Sequence, residues 1–481
     1  MRNWIRKIYF YSPAKRIQRQ IEQVIAERSY SLLAENRQAI TKLESLIGDL
    51  EVSVRGVHAE VRSVVETNDI NLNVLQQTVN KISVDTSNLT VLGAKRPIVV
   101  FFLIHNIEVW SSLHGVYDAM SGDSNFDVIV ASCNRRYPSG DNYGEEGIVH
   151  SGLEGMKIHH IRLTSQDSYQ DLDIVKRLRP DIIFRQSQWD LDIPEAFSVK
   201  NLRFARLYSV SYAVMPLTDH SFGSADDNYY RRSVEHVFVL NDEVKQLYNM
   251  ADENRLSVVA TGHPRVDEII RTMPSWPMVT KNKFRVIWSA HHSIFEGWND
   301  FGTFLSTYKI MLKLAKEYED IDFLFSLHPG LIGSFERLAR EDAKEKEKVD
   351  RFLADWNDLS NTHTLQHGGY VGPMKASDLL ITDGISLLLE YQLVEKPIIF
   401  IERDGHSEFN RFGERIKEGT NILNSKNIDK LQDMVLYYKN GGDDKRKSYQ
   451  KRNVSFLTEK TNASQNIVES IKKDFYKAGV K

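Results

Sequence analysis

The clearest pattern in the chain is a run of apolar residues spaced alternately three and four positions apart. Its members are Ile40, Leu43, Ile47, Leu50, Val54, Val57, Val61 and Val64. These are the a and d positions of a coiled coil, and the register continues with Asn68 at a and Asn71 at d. The pattern predicts a helical stalk over residues 31–92 that joins two or three copies of the chain, with two slightly favoured. A helix packed on its own domain is the alternative.

The segment before the stalk, residues 1–30, combines basic and aromatic side chains. Residues 1–20 contain six Lys or Arg and no Asp or Glu, with aromatic residues between them. This composition suits an anionic membrane surface, where each basic residue contributes about 1 kcal/mol of binding. We therefore expect a basic amphipathic segment that associates with a membrane. A helix that docks on the body of the protein is the alternative.

From Pro97 onward, short apolar runs alternate with amphipathic helical patterns, which is typical of parallel sheets flanked by helices. The pattern predicts an α/β body with two Rossmann-like lobes, over residues 96–275 and 281–425, followed by C-terminal helices over 426–481. The first lobe's predicted strands are Ile98–Ile104, Phe126–Ser132, Lys157–Arg162, Asp181–Arg185, Arg203–Tyr208, Val234–Leu240 and Leu256–Thr261. The second lobe's are Arg285–Ser289, Asp322–Leu327, Leu379–Thr382 and Pro397–Ile401, with one charged helix around Phe335–Trp356.

Composition excludes several classes of protein. Hydrophobic residues make up 41% of the chain and charged residues 26%, as in soluble globular proteins. The net charge of −3 argues against a protein that coats nucleic acid. The single cysteine, Cys133, cannot form an intrachain disulfide or a multi-thiolate zinc site, which suits a reducing cytoplasm. Neither a P-loop nor a GxGxxG motif occurs.

Ligands of open α/β sheets bind at the carboxyl ends of the strands, so the residues that follow the predicted strands are the candidates for chemistry. Leu379–Thr382 is followed by Asp383, Gly384 and Ser386. The glycine permits a tight turn, and the free N–H groups of the next helix with the Ser386 hydroxyl form a phosphate cradle. Glu390 lies one turn further, where its carboxylate could bind two ribose hydroxyls. An N-capped helix with an incidental Glu is the alternative.

Histidines follow two other strands of the second lobe. His328 and Pro329 come after Asp322–Leu327, and a histidine held there can donate to phosphate oxygens. His291, His292 and Ser293 follow Arg285–Ser289 closely, and we expect one of the two adjacent imidazoles to face the ligand. No third ligand follows them at helical spacing, so we expect neither a metal site nor another cofactor.

The last strand of the first lobe runs into Gly262, His263, Pro264 and Arg265. This turn either lines the cleft between the lobes or fixes the turn itself. For Arg265, a surface ion pair with Asp267 is the alternative.

Four segments taken in order, TGHPRVD, WSAHHSI, FLFSLHPG and SDLLITDGISLLLEYQLVEKPIIF, resemble the CDP-glycerol glycerophosphotransferase family of teichoic-acid and capsule synthesis. The resemblance covers roughly Pro97 to Leu423, is strongest over Ser377 to Phe400, and leaves the stalk outside. It implies a GT-B fold with a CDP-glycerol or CDP-ribitol donor in the second lobe and a glycan or lipid-linked acceptor in the first. It also implies peripheral attachment to the inner face of the cytoplasmic membrane.

The resemblance further implies roles for single residues. His328, Asp383, Gly384 and Ser386 would hold the donor pyrophosphate, and Glu390 would hold the ribose. The chain departs from the family in the first lobe, where YSVSYAVMPLTD stands in place of a His-Gly-Thr stretch that supplies the catalytic base. The substitutes in this lobe are His105, Asp219 and His220. His105 follows the first strand and is the best placed of them, with a buried histidine bonded to the backbone as its alternative.

Three functions are compatible with these motifs. In the first, an acceptor hydroxyl attacks the phosphate attached to the polyol and CMP leaves. In the second, a sugar transferase of the same fold catalyses attack on an anomeric carbon, and usually a nucleoside diphosphate leaves. In the third, the lobes have lost catalysis and the coiled coil recruits partners to a scaffold.

Overall fold

The computed structural model describes residues 96–476 except 137–142, 219–229, 232, 252–256, 280–281, 298 and 366–368. It also describes residues 20–57 except 30, 34–35, 39, 44, 49, 51–52 and 55. The chain divides into two compact units, Met1–Thr78 and Val79–Lys481. Within the described residues, no helix is both long and apolar enough to cross a membrane.

The described residues between 20 and 57 are helical, as the heptad pattern predicts. Their large apolar side chains are exposed. Val61, Val64 and the rest of the predicted stalk to residue 92 lie outside the described residues, as do residues 1–19 of the basic segment. The coiled coil therefore remains a prediction.

The first lobe contains a seven-stranded parallel sheet in the order β3-β2-β1-β4-β5-β6-β7. Its strands are β1 (Ile98–Ile104), β2 (Phe126–Cys133), β3 (Ile161–Leu163), β4 (Ile182–Arg185), β5 (Arg206–Val210), β6 (His236–Val239) and β7 (Val258–Ala260). Its helices are α1 (Ser111–Ser121), α2 (Glu146–Gly155), α3 (Ser168–Leu178), α4 (Asp242–Ala251) and α5 (Pro264–Arg271). The apolar residues of β1 are almost fully buried because helices cover both faces of a parallel sheet.

The second lobe contains a six-stranded parallel sheet in the order β10-β9-β8-β11-β12-β13. Its strands are β8 (Phe284–Ala290), β9 (Ile321–Leu327), β10 (Thr362–Leu365), β11 (Leu379–Thr382), β12 (Ile398–Glu402) and β13 (Asn421–Asn424). Its helices are α6 (Phe304–Glu317), α7 (Pro329–Glu341), α8 (Ala343–Asp358), α9 (Val371–Ala376), α10 (Ile385–Glu390), α11 (Arg411–Glu418) and α12 (Leu431–Lys439).

Two features of this lobe differ from the sequence-based prediction. The strands β10 and β13 were not predicted, because each is a short edge strand of mixed polar and apolar residues rather than an apolar run. The charged helix around Phe335–Trp356 is in fact the pair α7 and α8. The chain breaks at Asp342, which adopts an extended backbone and whose side chain accepts a hydrogen bond from the Glu345 N–H at 3.0 Å.

The chain ends in two helices that pack on different lobes, α13 (Lys447–Leu457) and α14 (Ala463–Tyr476). Gln450 of α13 donates to the Gly419 carbonyl of the second lobe at 3.0 Å. Asp474 of α14 accepts from the Tyr208 hydroxyl of the first lobe at 2.9 Å. The C-terminal helices thus tie the two lobes together.

The lobes also meet directly. An antiparallel bridge joins Thr218 to Phe409, and the Asn410 N–H donates to the Leu217 carbonyl at 2.9 Å. One hydrophobic cluster contains buried residues of both lobes, including Leu217 and Phe409. The cleft between the lobes is therefore bounded on one side by a packed apolar contact.

Candidate active site

Three histidines meet at the carboxyl ends of β8 and β9. The ring centroids lie 4.4 Å apart for His291 and His292, 4.6 Å for His292 and His328, and 5.9 Å for His291 and His328. Both adjacent histidines lie beside His328, and which of them faces a ligand stays a prediction. Beyond Ala290 the chain has left the strand, so side chains no longer alternate between the two faces. Among the described residues, no group of His, Cys, Asp and Glu has the arrangement of a metal site.

Asp383 holds the loops that carry this cluster. One carboxylate oxygen accepts the His291 N–H at 2.6 Å, and the other accepts the Thr303 N–H and, at 2.8 Å, the Thr303 hydroxyl. The carboxylate is buried, and burial raises its pKa to about 6 in spite of these hydrogen bonds. Asp383 therefore positions the histidine loop from within the protein.

The ring of His328 is oriented by the helix that follows it. His328 is the N-cap of α7, and its Nδ1 accepts a hydrogen bond from the Gly330 N–H at 3.0 Å. In the neutral ring the proton consequently resides on Nε2, which can donate to an anion. Gly330 also lies against His292, since a Cβ on Gly330 would come within 3.1 Å of that ring.

The remaining second-lobe candidates lie at the start of α10. Gly384 lies beside the histidine cluster, because a Cβ on it would be 3.8 Å from the His291 ring. Its N–H donates to the Thr382 hydroxyl at 2.9 Å. Ser386 is exposed in the first turn of the helix. Ser293 is buried beside His291, and its hydroxyl lies 2.7 Å from His291 Nδ1.

The first lobe contributes a histidine and an arginine to the cleft. His105 follows β1, is 4% exposed, and its Nδ1 has no hydrogen-bond partner among the described residues. Its backbone N–H donates to Gln186 Oε1 at 2.9 Å. Arg135 follows the neighbouring strand β2 and forms ion pairs with Glu108 at 2.9 Å and Glu145 at 2.8 Å.

Arg135 was not among the residues singled out from the sequence, because no motif surrounds it. Burial together with Arg135 and Arg185 lowers the pKa of His105 to about 3. Burial, His292 and Arg135 likewise lower the pKa of His328 to about 3. The Arg135 charge thus lowers the pKa of one histidine in each lobe.

Glu390 is held by the other lobe. Arg265 of α5 donates to its two carboxylate oxygens at 3.1 and 2.9 Å, and the Tyr370 hydroxyl donates to it at 3.0 Å. The Arg265 and Glu390 side chains are 6% and 11% exposed. The pair therefore bridges the lobes, and the surface ion pair of Arg265 with Asp267 does not form. Asp267 instead accepts from the Ala463 N–H at 2.6 Å.

The other residues of that turn have structural partners. Gly262 has a φ of +87°, and a Cβ there would lie 2.6 Å from the Lys460 carbonyl. Both ring nitrogens of His263 are bonded to backbone, Nδ1 to the Arg265 N–H at 3.2 Å and Nε2 to the Ser211 carbonyl at 2.8 Å. The turn is fixed rather than open to a ligand. Asp219 and His220 lie outside the described residues.

We expect the protein to lose stability as the pH falls from about 6.5 to 4. Burial lowers the pKa of five histidines, to about 3 or 4 for His105, His263, His292 and His328 and well below its usual value for His291. Unfolding raises these values to about 6.5, so the unfolded chain binds protons that the folded chain excludes. The contribution of these histidines to stability is therefore fully present above pH 6.5. It is lost as the pH falls toward their pKa values in the folded protein. The raised pKa values of Asp383, Asp192 and Asp267 oppose this trend, because burial favours the protonated form of each carboxyl in the folded protein.

Calorimetric melting between pH 7.5 and 4.5 measures this effect. A His328→Asn variant removes one of the five groups and should reduce the proton uptake on unfolding by up to about one proton. A thermal midpoint that stays constant over this range would show that the histidines are not neutral in the folded protein.

The chain matches no protein-family model and no curated protein sequence. Solved structures resemble it in three dimensions. S. aureus MnaA in a co-structure with UDP matches with a TM-score of 0.54 and 15% identity, over 78% of this chain and 96% of that one. The Neisseria meningitidis UDP-GlcNAc 2-epimerase bound to UDP-GlcNAc matches with a TM-score of 0.54 and 14% identity, over 78% and 100%.

The wall teichoic acid polymerase TagF matches with a TM-score of 0.46 and 15% identity, over 79% of this chain and 89% of that one, which is too distant to support an argument. Identities this low establish a shared fold and leave function to the site itself. Together with the two parallel sheets, the first two matches show that this chain has the α/β two-lobe fold of GT-B proteins.

Proposed function

We propose that the chain is a transferase of bacterial cell-surface polymer synthesis that moves a polyol phosphate from CDP-glycerol or CDP-ribitol to a glycan or lipid-linked acceptor. The observation that carries this proposal is the cluster of His291, His292 and His328 at the strand ends of the second lobe. Neutral imidazoles that donate hydrogen bonds can bind a pyrophosphate and stabilise it as charge develops on the leaving phosphate.

The second lobe would bind the donor. His328 Nε2 donates to a phosphate oxygen, and the first turn of α10 with the Ser386 hydroxyl contacts the pyrophosphate from the adjacent strand end. Asp383 keeps the His291 loop in place without touching the ligand. Arg135 of the first lobe is paired with Glu108 and Glu145, and a phosphate would have to compete with these carboxylates for its guanidinium.

The first lobe would bind the acceptor and accept its proton. His105 is neutral and its Nδ1 has no partner among the described residues, so this atom is available to take the proton of an acceptor hydroxyl. The negative charge of a bound donor would raise the pKa of His105 from its lowered value, because an anion stabilises the imidazolium. The hydroxyl oxygen then forms a bond to the phosphorus attached to the polyol, the bond from that phosphorus to the bridging oxygen breaks, and CMP leaves. Asp219 and His220 are the other candidate bases.

A nucleotide-sugar transferase is the second candidate. It is favoured by the likeness in fold to two structures solved with UDP and with UDP-GlcNAc. The same histidines would then stabilise a departing nucleoside diphosphate, and the acceptor would attack an anomeric carbon. In either case we place the chain peripherally on the inner face of the cytoplasmic membrane, attached through the basic residues 1–30.

The test presents the purified full-length chain with CDP-glycerol, CDP-ribitol and a panel of nucleotide sugars, together with a lipid-linked acceptor extract. We expect CMP to be released and the acceptor to gain phosphorus. Release of a nucleoside diphosphate, or of CMP without a gain of phosphorus, would instead identify a sugar transferase. Each donor and acceptor is first verified with a known enzyme. If this chain then releases no nucleotide from any donor, the result would favour the non-catalytic scaffold.

A further inference from the structure

The described helical residues between 40 and 57 expose an apolar side chain at every a and d position. The six residues at the a and d positions expose between 51% and 65% of their surface, and they are Ile40, Leu43, Ile47, Leu50, Val54 and Val57. Soluble proteins rarely leave a contiguous apolar patch of this kind uncovered. This apolar stripe therefore indicates an interface.

On the opposite side of the helix, the described residues are polar or glycine. Thr41 and Lys42 are exposed polar residues at b and c, and a Cβ added to Gly48 or Gly56 would meet nothing within 4 Å. Glycine within a helix also costs stability relative to alanine. A helix with two exposed glycines gains its stability mainly from whatever covers its apolar face.

We propose that the stripe is covered by a second copy of the same helix, in a parallel, in-register, two-stranded coiled coil. Strict alternation of three and four residues matches a partner with the same repeat. The a positions Ile40, Ile47 and Val54 are all β-branched and the d positions Leu43 and Leu50 are leucine, which favours two strands. Val57 is the d position that departs from this pattern. In the sequence, Asn68 occupies a later a position. A polar residue at an a position favours the register in which it pairs with the same residue of the second copy.

The charges beside the seam select the parallel orientation. Glu44 and Glu51 occupy consecutive e positions, and an antiparallel pair aligned on this segment would place each opposite the other. In a parallel pair the e positions are matched with g positions, and the g residues Leu46 and Ser53 carry no charge. Only the antiparallel arrangement thus sets like charges against each other. In a parallel pair the two copies of residues 1–30 also precede the same end of the coiled coil.

Disulfide trapping in the full-length protein tests this arrangement. The native chain has one cysteine, Cys133, which is fully buried in the first lobe and does not compete. Leu43→Cys introduces a thiol at a d position, where the two copies of a parallel in-register pair approach within disulfide distance. Lys42→Cys is the matched control, because position c faces away from the partner. We expect mild oxidation to give a covalent dimer from the first variant and none from the second.

Light scattering provides the second measurement. We expect the native chain to have the mass of two copies, Ile47→Glu to have the mass of one, and Lys42→Glu to remain a dimer. A native mass of one copy would show that the stripe is covered by the chain itself, and a mass of three would overturn the two-stranded arrangement. A dimer in which Leu43→Cys fails to crosslink would overturn the parallel register. These outcomes do not depend on the proposed transferase activity.

Discussion

Replacing His328 by asparagine is expected to lower the rate of donor turnover by about 100- to 1,000-fold, the usual effect of removing one donor to a developing negative charge. The asparagine side-chain oxygen can accept the hydrogen bond that the Gly330 N–H now gives to His328 Nδ1, so α7 keeps its cap. The variant loses the Nε2–H group, which is the group that donates a hydrogen bond to a phosphate in the proposed complex. The measurement is kcat of nucleotide release with the donor identified by the panel.

Two further variants separate this effect from a loss of folding. His328→Ala removes both nitrogens, and we expect the same loss of turnover with a lower thermal midpoint, because the loss of an N-cap destabilises by about 1 kcal/mol. His363→Asn makes the same chemical change at an exposed position on β10 of the same lobe, and it should leave turnover unchanged. If His328→Asn retained the native rate, His328 would have no role beyond capping its helix.

The sequence predicts the two lobes well because buried parallel strands are continuous apolar runs. Ile98–Ile104 and Leu379–Thr382 have the predicted bounds, since every flanking position is polar or a turn residue. The short edge strands β10 and β13 contain polar residues on a partly exposed edge, and no periodicity distinguishes them from loops. Sequence pattern thus finds the strands that form the core and misses those that extend it.

The sequence likewise predicts some residues of the candidate site and misses others. The rule that ligands meet the carboxyl ends of strands correctly brings His291, His292 and His328 together. It does not reveal that Arg135 lies close enough to alter His105 and His328, because that depends on how β2 and the two lobes are placed in space. A lone arginine after a strand carries no signal of such a placement.

Glu390 does lie in a motif, and the sequence still does not reveal its ion-pair partner. The sequence predicts a ribose-binding role for it, and spacing alone cannot show that an arginine 125 residues earlier binds both of its oxygens. Long-range ion pairs are set by the approach of the lobes, which local sequence does not encode.

The Glu390→Gln variant is expected to lower the free energy of unfolding by about 1–3 kcal/mol. The change removes the carboxylate that binds the buried guanidinium of Arg265 in two places and leaves Glu268, at 2.6 Å, as its remaining carboxylate partner. Tyr370 can still donate to the remaining amide oxygen, so the loss reflects the ion pair. Denaturant unfolding of the full-length chain, followed by circular dichroism, measures it.

The matched control is Glu195→Gln, which makes the same change in an exposed pair with Lys200 and should leave stability almost unchanged. Replacing both partners, as in Arg265→Met with Glu390→Leu, should destabilise much less than the sum of the single changes, because no buried charge is then left alone. A ribose-binding role for Glu390 predicts the reverse pattern, in which Glu390→Gln keeps native stability and raises KM for the donor. Measuring stability and KM on the same variant therefore decides whether this carboxylate joins the two lobes or binds the nucleotide.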